Sequence, residues 1–130
     1  MTEEVEDEGS LRRELRPSGP VRVSFTRSQR AGRTVIAVRG EFDILTAPRV
    51  GAELDEMVRG GAGDVVVDLR ETSFMDSSGL YILLNARRRL ARLGRRLSVV
   101  CGRGPVRRAV ELARLAETLG VVSELDENSP

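Results

Sequence analysis

The residues best suited to carry chemistry lie in one segment, residues 73–80, with the sequence SFMDSSGL. It joins an apolar run that ends at Leu69 to the longest helical pattern of the chain, so a helix is expected to begin near Ser77 or Ser78. Free backbone N–H groups and the positive end of the helix dipole would stabilise an anionic group on Ser77. The other interpretation is an ordinary cap, because Asp and Ser are the preferred N-caps of any helix. The two are compatible, since a capping serine can also be modified.

The composition excludes several kinds of active site. No histidine is present, which excludes Ser-His-Asp and Cys-His nucleophile systems and histidine-ligated metals. No lysine is present either, which excludes a GxxxxGK[ST] phosphate loop, and the single cysteine, Cys101, is expected in the core. Asp43, Asp68 and Asp76 remain as an alternative, a carboxylate cluster for a divalent metal. We expect no enzyme, no metal and no cofactor.

Charge is distributed unevenly along the chain. The 21 arginines nearly balance 20 acidic residues, but residues 21–123 hold 18 arginines and 11 acids, a net charge of +7. Residues 1–20 are acidic and poor in large apolar groups, so they are expected to form a disordered leader, with residues 124–130 as a tail. Neither a signal peptide nor a membrane-spanning run is evident, which predicts a cytoplasmic protein without membrane contact.

The arginines of the longest helical pattern have two interpretations. Arg87, Arg88, Arg89 and Arg92, followed by Arg95 and Arg96, form either a solvated face or a contact for an acidic partner. Direct nucleic-acid binding is not expected, because one tyrosine and three phenylalanines provide little stacking surface.

Residues 21–123 read as one domain of alternating strands and helices. Period-two or β-branched runs predict strands, and a 3.6-residue apolar stripe predicts the longest helix. The order β-β-α-β-α-β-α, with a possible last strand, predicts an α/β fold in which helices pack on a mixed sheet of four to five strands. The predicted strands lie near 21–25, 35–38, 64–69, 97–101 and 121–122, and the helices follow Thr46, Ser77 and Gly104.

The motif FMDSSGL at residues 74–80 resembles the signature of the STAS domain family, specifically the bacterial anti-sigma factor antagonists. The sequence GEFD at residues 40–43 is similar to a second element of that family, and the resemblance extends over about residues 21–123. It implies a STAS-like single domain, in agreement with the order of elements.

The resemblance also implies a cycle of partner switching that regulates transcription. The unphosphorylated antagonist would bind an anti-sigma factor, a serine kinase of the GHKL type, and free the sigma factor. The kinase would phosphorylate Ser77, and a metal-dependent serine phosphatase would reverse the reaction. The alternative is a STAS scaffold subunit of a stressosome-like or transport-associated complex without a phosphorylation cycle.

The same resemblance assigns roles to individual residues. Ser77 would be the phosphoacceptor, Asp43 and Asp76 would flank it, and Ser78 would contact the partner. Gly79 would let the backbone of the partner approach closely. Tyr81 departs from the family, in which this position is often small, and is either a specificity anchor for the partner or a partly packed surface residue. Thr46 is expected to cap a helix rather than contact the partner.

Overall fold

The computed structural model describes residues 10–14 and 22–125. Seven strands and three helices alternate along this part of the chain. In chain order they are β1 (Ser10–Glu14), β2 (Val23–Arg30), β3 (Arg33–Phe42), α1 (Ala47–Gly60), β4 (Val65–Asp68), β5 (Thr72–Met75), α2 (Ser77–Arg92), β6 (Leu97–Val100), α3 (Pro105–Leu112) and β7 (Val121–Val122).

The strands form one mixed sheet, as the sequence predicts, but with more strands than the expected four to five. Six strands follow the order β1-β2-β3-β4-β6-β7, antiparallel as far as β3 and parallel from there on. The long strand β3 pairs with β4 through Thr34–Ala37 and then with β5 through Gly40–Phe42. The added strand β5 lies within the segment that we expected only to connect β4 to α2. It is short and of mixed polarity, so periodicity does not reveal it.

A second correction concerns the leader. Residues 1–20 are expected to be disordered, yet Ser10–Glu14 form β1, which pairs antiparallel with β2 from Ser24 to Ser28. An unpaired outer edge of β2 would leave backbone N–H and C=O groups without strand partners, and β1 satisfies them. The rest of the leader, and residues 126–130 of the expected tail, lie outside the described residues.

The core lies between one face of the sheet and the helices. Phe42, Leu54, Leu83 and Val99 are among its fully buried side chains, and α1 packs against α2 over it. The opposite face buries a smaller cluster of Val35, Val66 and Val100, against which Leu125 packs. Strand β4 is therefore buried on both faces, as its β-branched run predicts. Cys101 lies in the core as expected, and burial raises the pKa of its thiol.

Candidate functional site

Strands β3 and β5 bring the two motifs together. They run parallel with Phe42 paired to Met75, and the Asp76 amide donates to the Phe42 carbonyl over 3.4 Å. Residues that directly follow the two strands therefore meet at the carboxyl edge of the sheet. This edge holds Asp43 on one strand and Asp76 and Ser77 on the next, as the resemblance implies.

Helix α2 begins at Ser77, where the sequence predicts it. Asp76 is the N-cap, and its Oδ1 accepts from the Ser78 amide at 2.9 Å. Its carbonyl accepts from the Gly79 and Leu80 amides. Ser77 is exposed, and its hydroxyl forms no hydrogen bond with the part of the chain that the structure describes. The carboxylate thus performs the capping and leaves the Ser77 hydroxyl free.

Gly79 has a role inside the fold. We expect from the sequence that it leaves room for the backbone of a partner, but the structure fills that room from within. Gly79 is buried, and a Cβ there would lie 2.7 Å from Cγ of Met75 and 3.1 Å from the carbonyl oxygen of Phe42. A glycine is required because α2 begins directly against β5 and β3.

Asp43 organises the loop between β3 and α1. Its Oδ1 accepts from the Leu45 amide at 3.0 Å and the Thr46 amide at 3.1 Å. Burial raises the pKa of Asp43, but the amides of Thr46 and Leu45, together with the charge of Arg22, outweigh it and hold the pKa below its ordinary value. Asp43 is therefore ionised at neutral pH and fixes the turn that precedes α1.

Thr46 occupies the N-cap position of α1, but its side chain does not form the expected cap. The residue is buried, and Oγ1 donates to the Glu41 carbonyl at 2.6 Å and accepts from the Asp43 amide at 2.9 Å. Its hydroxyl therefore ties the loop back to β3, because the neighbouring strand end offers closer partners than the first turn of the helix.

The sequence analysis missed one member of the site, Arg22. Its Nη2 lies 2.5 Å from Oδ2 of Asp43 and also contacts Glu41, while its Nε donates to Glu41 at 2.9 Å. Glu41 and Asp43 are two residues apart on an extended chain, so both reach the same side. The spacing of Glu41 and Asp43 could have predicted that a basic side chain pairs with both. It could not have predicted which arginine does so.

Exposed apolar side chains lie on the segments that flank Asp43 and Ser77. The described residues include seven large apolar side chains that are exposed, and Ile44, Leu45, Phe74 and Tyr81 are four of them. All four lie on the three segments that meet at this edge: the loop after β3, β5 and the first turns of α2. Tyr81 is one helical turn beyond Ser77, so the two share a face of α2. This confirms that Tyr81 is exposed; its role as an anchor stays a prediction.

The arginines of α2 and of the loop after it divide into two groups. Arg89 forms an ion pair with Asp55 of α1. Arg95, in the loop after α2, donates to the carbonyls of Met57 and Val58 in the last turn of α1 and of Gly63 just after it. Arg88 and Arg92 are exposed, and neither has a partner among the described residues. Two of these arginines therefore hold the helices together rather than forming a solvated face.

The carboxylate cluster that a metal-dependent enzyme would need does not form. Asp68 is held by Arg70, which donates to both of its oxygens, rather than by a shared site with Asp43 and Asp76. Within residues 10–14 and 22–125, no three His, Cys, Asp or Glu side chains are grouped so that they could hold a metal ion. The same ranges contain no helix long and apolar enough to cross a membrane.

A family model described as Mlab, STAS domain matches residues 19–123. The chain belongs to the STAS domain family. This STAS domain is 27% identical over 110 residues to the anti-sigma-F factor antagonist RsfB of Mycobacterium tuberculosis, covering 85% of this chain and 89% of the relative. It is 28% identical over 86 residues to the anti-sigma-B factor antagonist of Staphylococcus aureus, covering 66% of this chain and 80% of the relative.

A solved structure shares the fold of this STAS domain. The crystal structure of an anti-sigma factor antagonist from Mycobacterium paratuberculosis superimposes with a TM-score of 0.75 at 28% identity, covering 80% of this chain and 88% of that one. The α/β, STAS-like architecture expected from the sequence is thereby confirmed.

Proposed function

We propose that this STAS domain is an anti-sigma factor antagonist, a regulatory binding protein that captures an anti-sigma factor and so frees a sigma factor for transcription. The observation that carries the proposal is the exposed, unbonded hydroxyl of Ser77 at the start of α2, surrounded by Ile44, Leu45, Phe74 and Tyr81. Apolar side chains grouped around a polar centre are typical of a protein-binding surface. The names of the relatives from Mycobacterium and Staphylococcus support the same function.

The proposed switch is phosphorylation of Ser77 by the anti-sigma factor, a serine kinase of the GHKL type. The terminal phosphoryl group of ATP forms a bond with Oγ of Ser77, ADP leaves, and the hydroxyl proton passes to a base of the kinase. A metal-dependent serine phosphatase hydrolyses the ester and returns the free hydroxyl. The N-terminus of α2 can accommodate the added anion, because the Ser77 amide lies in the first turn of the helix and donates to no acceptor among the described residues.

Phosphorylation would turn binding off through charge and bulk. A phosphate adds a charge of about −1.5 to −2 beside Asp76 and Asp43, on a surface otherwise made of apolar side chains and a neutral hydroxyl. Repulsion from acidic groups of the partner, and loss of phosphate hydration against its apolar groups, then weaken the complex, and a loss of about 1.4 kcal/mol already lowers the affinity tenfold. A modest electrostatic penalty is therefore sufficient for a switch.

Intact-mass spectrometry tests the proposed modification. The protein is incubated with ATP and each purified GHKL-type serine kinase of its host, and wild type is compared with Ser77→Ala and with Ser78→Ala as the matched control. We expect one phosphate on wild type and on Ser78→Ala and none on Ser77→Ala. If every kinase leaves wild type unmodified, the phosphorylation cycle is wrong and the scaffold alternative replaces it.

A further inference from the structure

Three neighbouring strands present charged or reactive residues side by side at the edge that holds Ser77. Strand β3 lies between β2 and β5, with Val23 paired to Gly40 on one side and Met75 paired to Phe42 on the other. Arg22 directly precedes β2, Asp43 follows β3, and Asp76 with Ser77 follows β5. The order across the edge is thus arginine, aspartate and serine.

Arg22 is held in this place by its own backbone. The Glu41 amide donates to the Arg22 carbonyl at 2.9 Å, and a Cβ at residue 40 would overlap that same carbonyl oxygen. Gly40 also has a φ of +103°, a conformation that other residues rarely adopt. Gly40 therefore admits the Arg22 backbone, whose guanidinium group contacts Glu41 and Asp43.

The guanidinium group of Arg22 places a positive charge at this edge. Arg22 contacts both Glu41 and Asp43, whereas Asp76 caps α2 and has no arginine partner among the described residues. Without phosphate, this positive charge is shared by two carboxylates. A phosphate on Ser77 would bring a stronger acceptor, with a charge of about −2 and three oxygens, to the same edge. Arg22 lies opposite Glu41, and Ser77 lies two residues past Met75, so their backbones are two strand spacings apart across the sheet and about three residues apart along it, or about 14 Å.

An arginine binds phosphate better than carboxylate at such a site. Its planar fork can donate two parallel hydrogen bonds, and the doubly charged phosphate attracts it more strongly than either acid. The extended Arg22 side chain already reaches Asp43, which follows the strand that lies between Arg22 and Ser77. Arg22 is 35% exposed, so its side chain has room to turn, whereas the Asp43 side chain is only 13% exposed and is held by backbone amides.

We propose that Arg22 is the positioning residue of the Ser77 switch: it holds Asp43 while Ser77 is unmodified and turns to bind the phosphate once Ser77 is phosphorylated. This inference rests on the proposed phosphorylation of Ser77. Asp43 then loses its counterion next to a new dianion, and the loop that it fixes through the Leu45 and Thr46 amides is strained. Phosphorylation would thereby disturb the exposed Ile44 and Leu45 as well as add charge.

A phosphorus NMR titration of protein carrying phosphoserine at position 77 tests the contact. The phosphoserine is introduced during translation, so the result depends on no kinase. Binding to Arg22 favours the dianion, and we expect the second pKa of the phosphate to lie about one pH unit lower in the wild-type background than with Arg22→Met. Arg39→Met is the matched control, since Arg39 also pairs with an acid near this end of β3, Glu71, and should leave that pKa unchanged.

Amide hydrogen exchange tests the consequence for the loop. We expect phosphoserine 77 to speed exchange at Leu45 and Thr46 by about tenfold in the wild-type background, equivalent to about 1.4 kcal/mol of local opening. With Arg22→Met, exchange should be fast already and phosphate should add little. If Arg22→Met does not fold, Arg22→Lys replaces it, because lysine keeps the positive charge but cannot donate two parallel hydrogen bonds. The second pKa of the phosphate should then lie above the wild-type value but below that of a phosphoserine without a nearby cation.

Equal phosphate pKa values in wild type, Arg22→Met and Arg22→Lys would overturn the inference, as would unchanged exchange at Leu45 and Thr46. Either result leaves the proposed function intact, because that is decided separately by the kinase experiment on Ser77. Conversely, failure of every kinase to modify Ser77 would refute the proposed switch even if Arg22 binds an introduced phosphate.

Discussion

Arg22, which directly precedes β2, and Arg27, in the middle of β2, form ion pairs in contrasting surroundings. Arg27 points to the helix side of the sheet and pairs at 3.1 Å with Glu53 of α1, whose side chain is only 2% exposed. Arg22 pairs with Asp43 at the edge, where both groups are reached by solvent. The inner pair, Arg27 with Glu53, joins α1 to the sheet. The outer pair, Arg22 with Asp43, lies at the surface. An arginine can therefore stabilise the fold at one position of the chain and belong to a candidate switch five residues away.

The largest expected effect comes from breaking the inner pair. Arg27→Met leaves the Glu53 carboxylate buried with less compensation, and we expect the free energy of unfolding to fall by about 3 kcal/mol. Arg22→Met should cost clearly less, since exposed ion pairs contribute little to stability. Urea unfolding of the two variants measures both. Equal losses would show that the outer pair is as structural as the inner one.

The second effect concerns the contact between α2 and the strands at the edge. Gly79→Ala places a Cβ against Met75 and Phe42, and overpacking of this kind is expected to cost about 2 kcal/mol. Gly102→Ala is the matched control, because a Cβ there meets no atom within 4 Å. Thermal or urea unfolding should show a lower free energy of unfolding for Gly79→Ala and no change for Gly102→Ala. An unaffected Gly79→Ala protein would mean that α2 can move away from β5 at no cost.

A smaller effect is expected at the cap of α2. Asp76→Ala removes the acceptor of the Ser78 amide and should lower the free energy of unfolding by about 1 kcal/mol. Asp76→Asn keeps an acceptor oxygen and should remain close to wild type. Should both variants lose the same amount, the charge of Asp76 rather than its hydrogen bond would be what stabilises the helix start.

The smallest effect is a pH dependence of the outer pair. The folded pKa of Asp43 lies below the ordinary aspartate value of about 3.9, so its contribution to stability is complete above that value. The contribution is then lost as the pH falls through the lower, folded pKa. Carboxyl carbon NMR should show Asp43 titrating below pH 3.9 in wild type and at higher pH in Arg22→Met. A midpoint that does not move would show that the loop amides alone set it.

The elements that periodicity marks could be predicted from the sequence. The apolar stripe of α2, the buried run of β4 and the order of elements all follow from local pattern. Strands β1 and β5 could not be predicted, because both are short and are stabilised by pairing with β2 and β3 rather than by their own composition. The 3.6-residue spacing also predicts that Leu93 belongs to the buried apolar stripe of α2. The helix instead ends at Arg92, and Leu93 is exposed.

The candidate site likewise contains features that the sequence predicts and features that it does not. The proximity of Asp43 and Ser77 was expected from the resemblance, and the start of α2 from the cap residues. Arg22 was missed because its ion pair joins residues 21 positions apart, a contact that depends on the register between β2 and β3. The internal role of Gly79 was missed because the nearness of Met75 depends on how α2 leaves β5.

A binding titration with the serine and phosphoserine forms of the protein tests whether Ser77 controls the capture of an anti-sigma factor. Each purified GHKL-type serine kinase of the host is titrated, without ATP, with protein carrying serine or phosphoserine at position 77. We expect one of them to bind the serine form at least tenfold more tightly than the phosphoserine form. Equal affinity for both forms, or binding of the phosphorylated form alone, would contradict it.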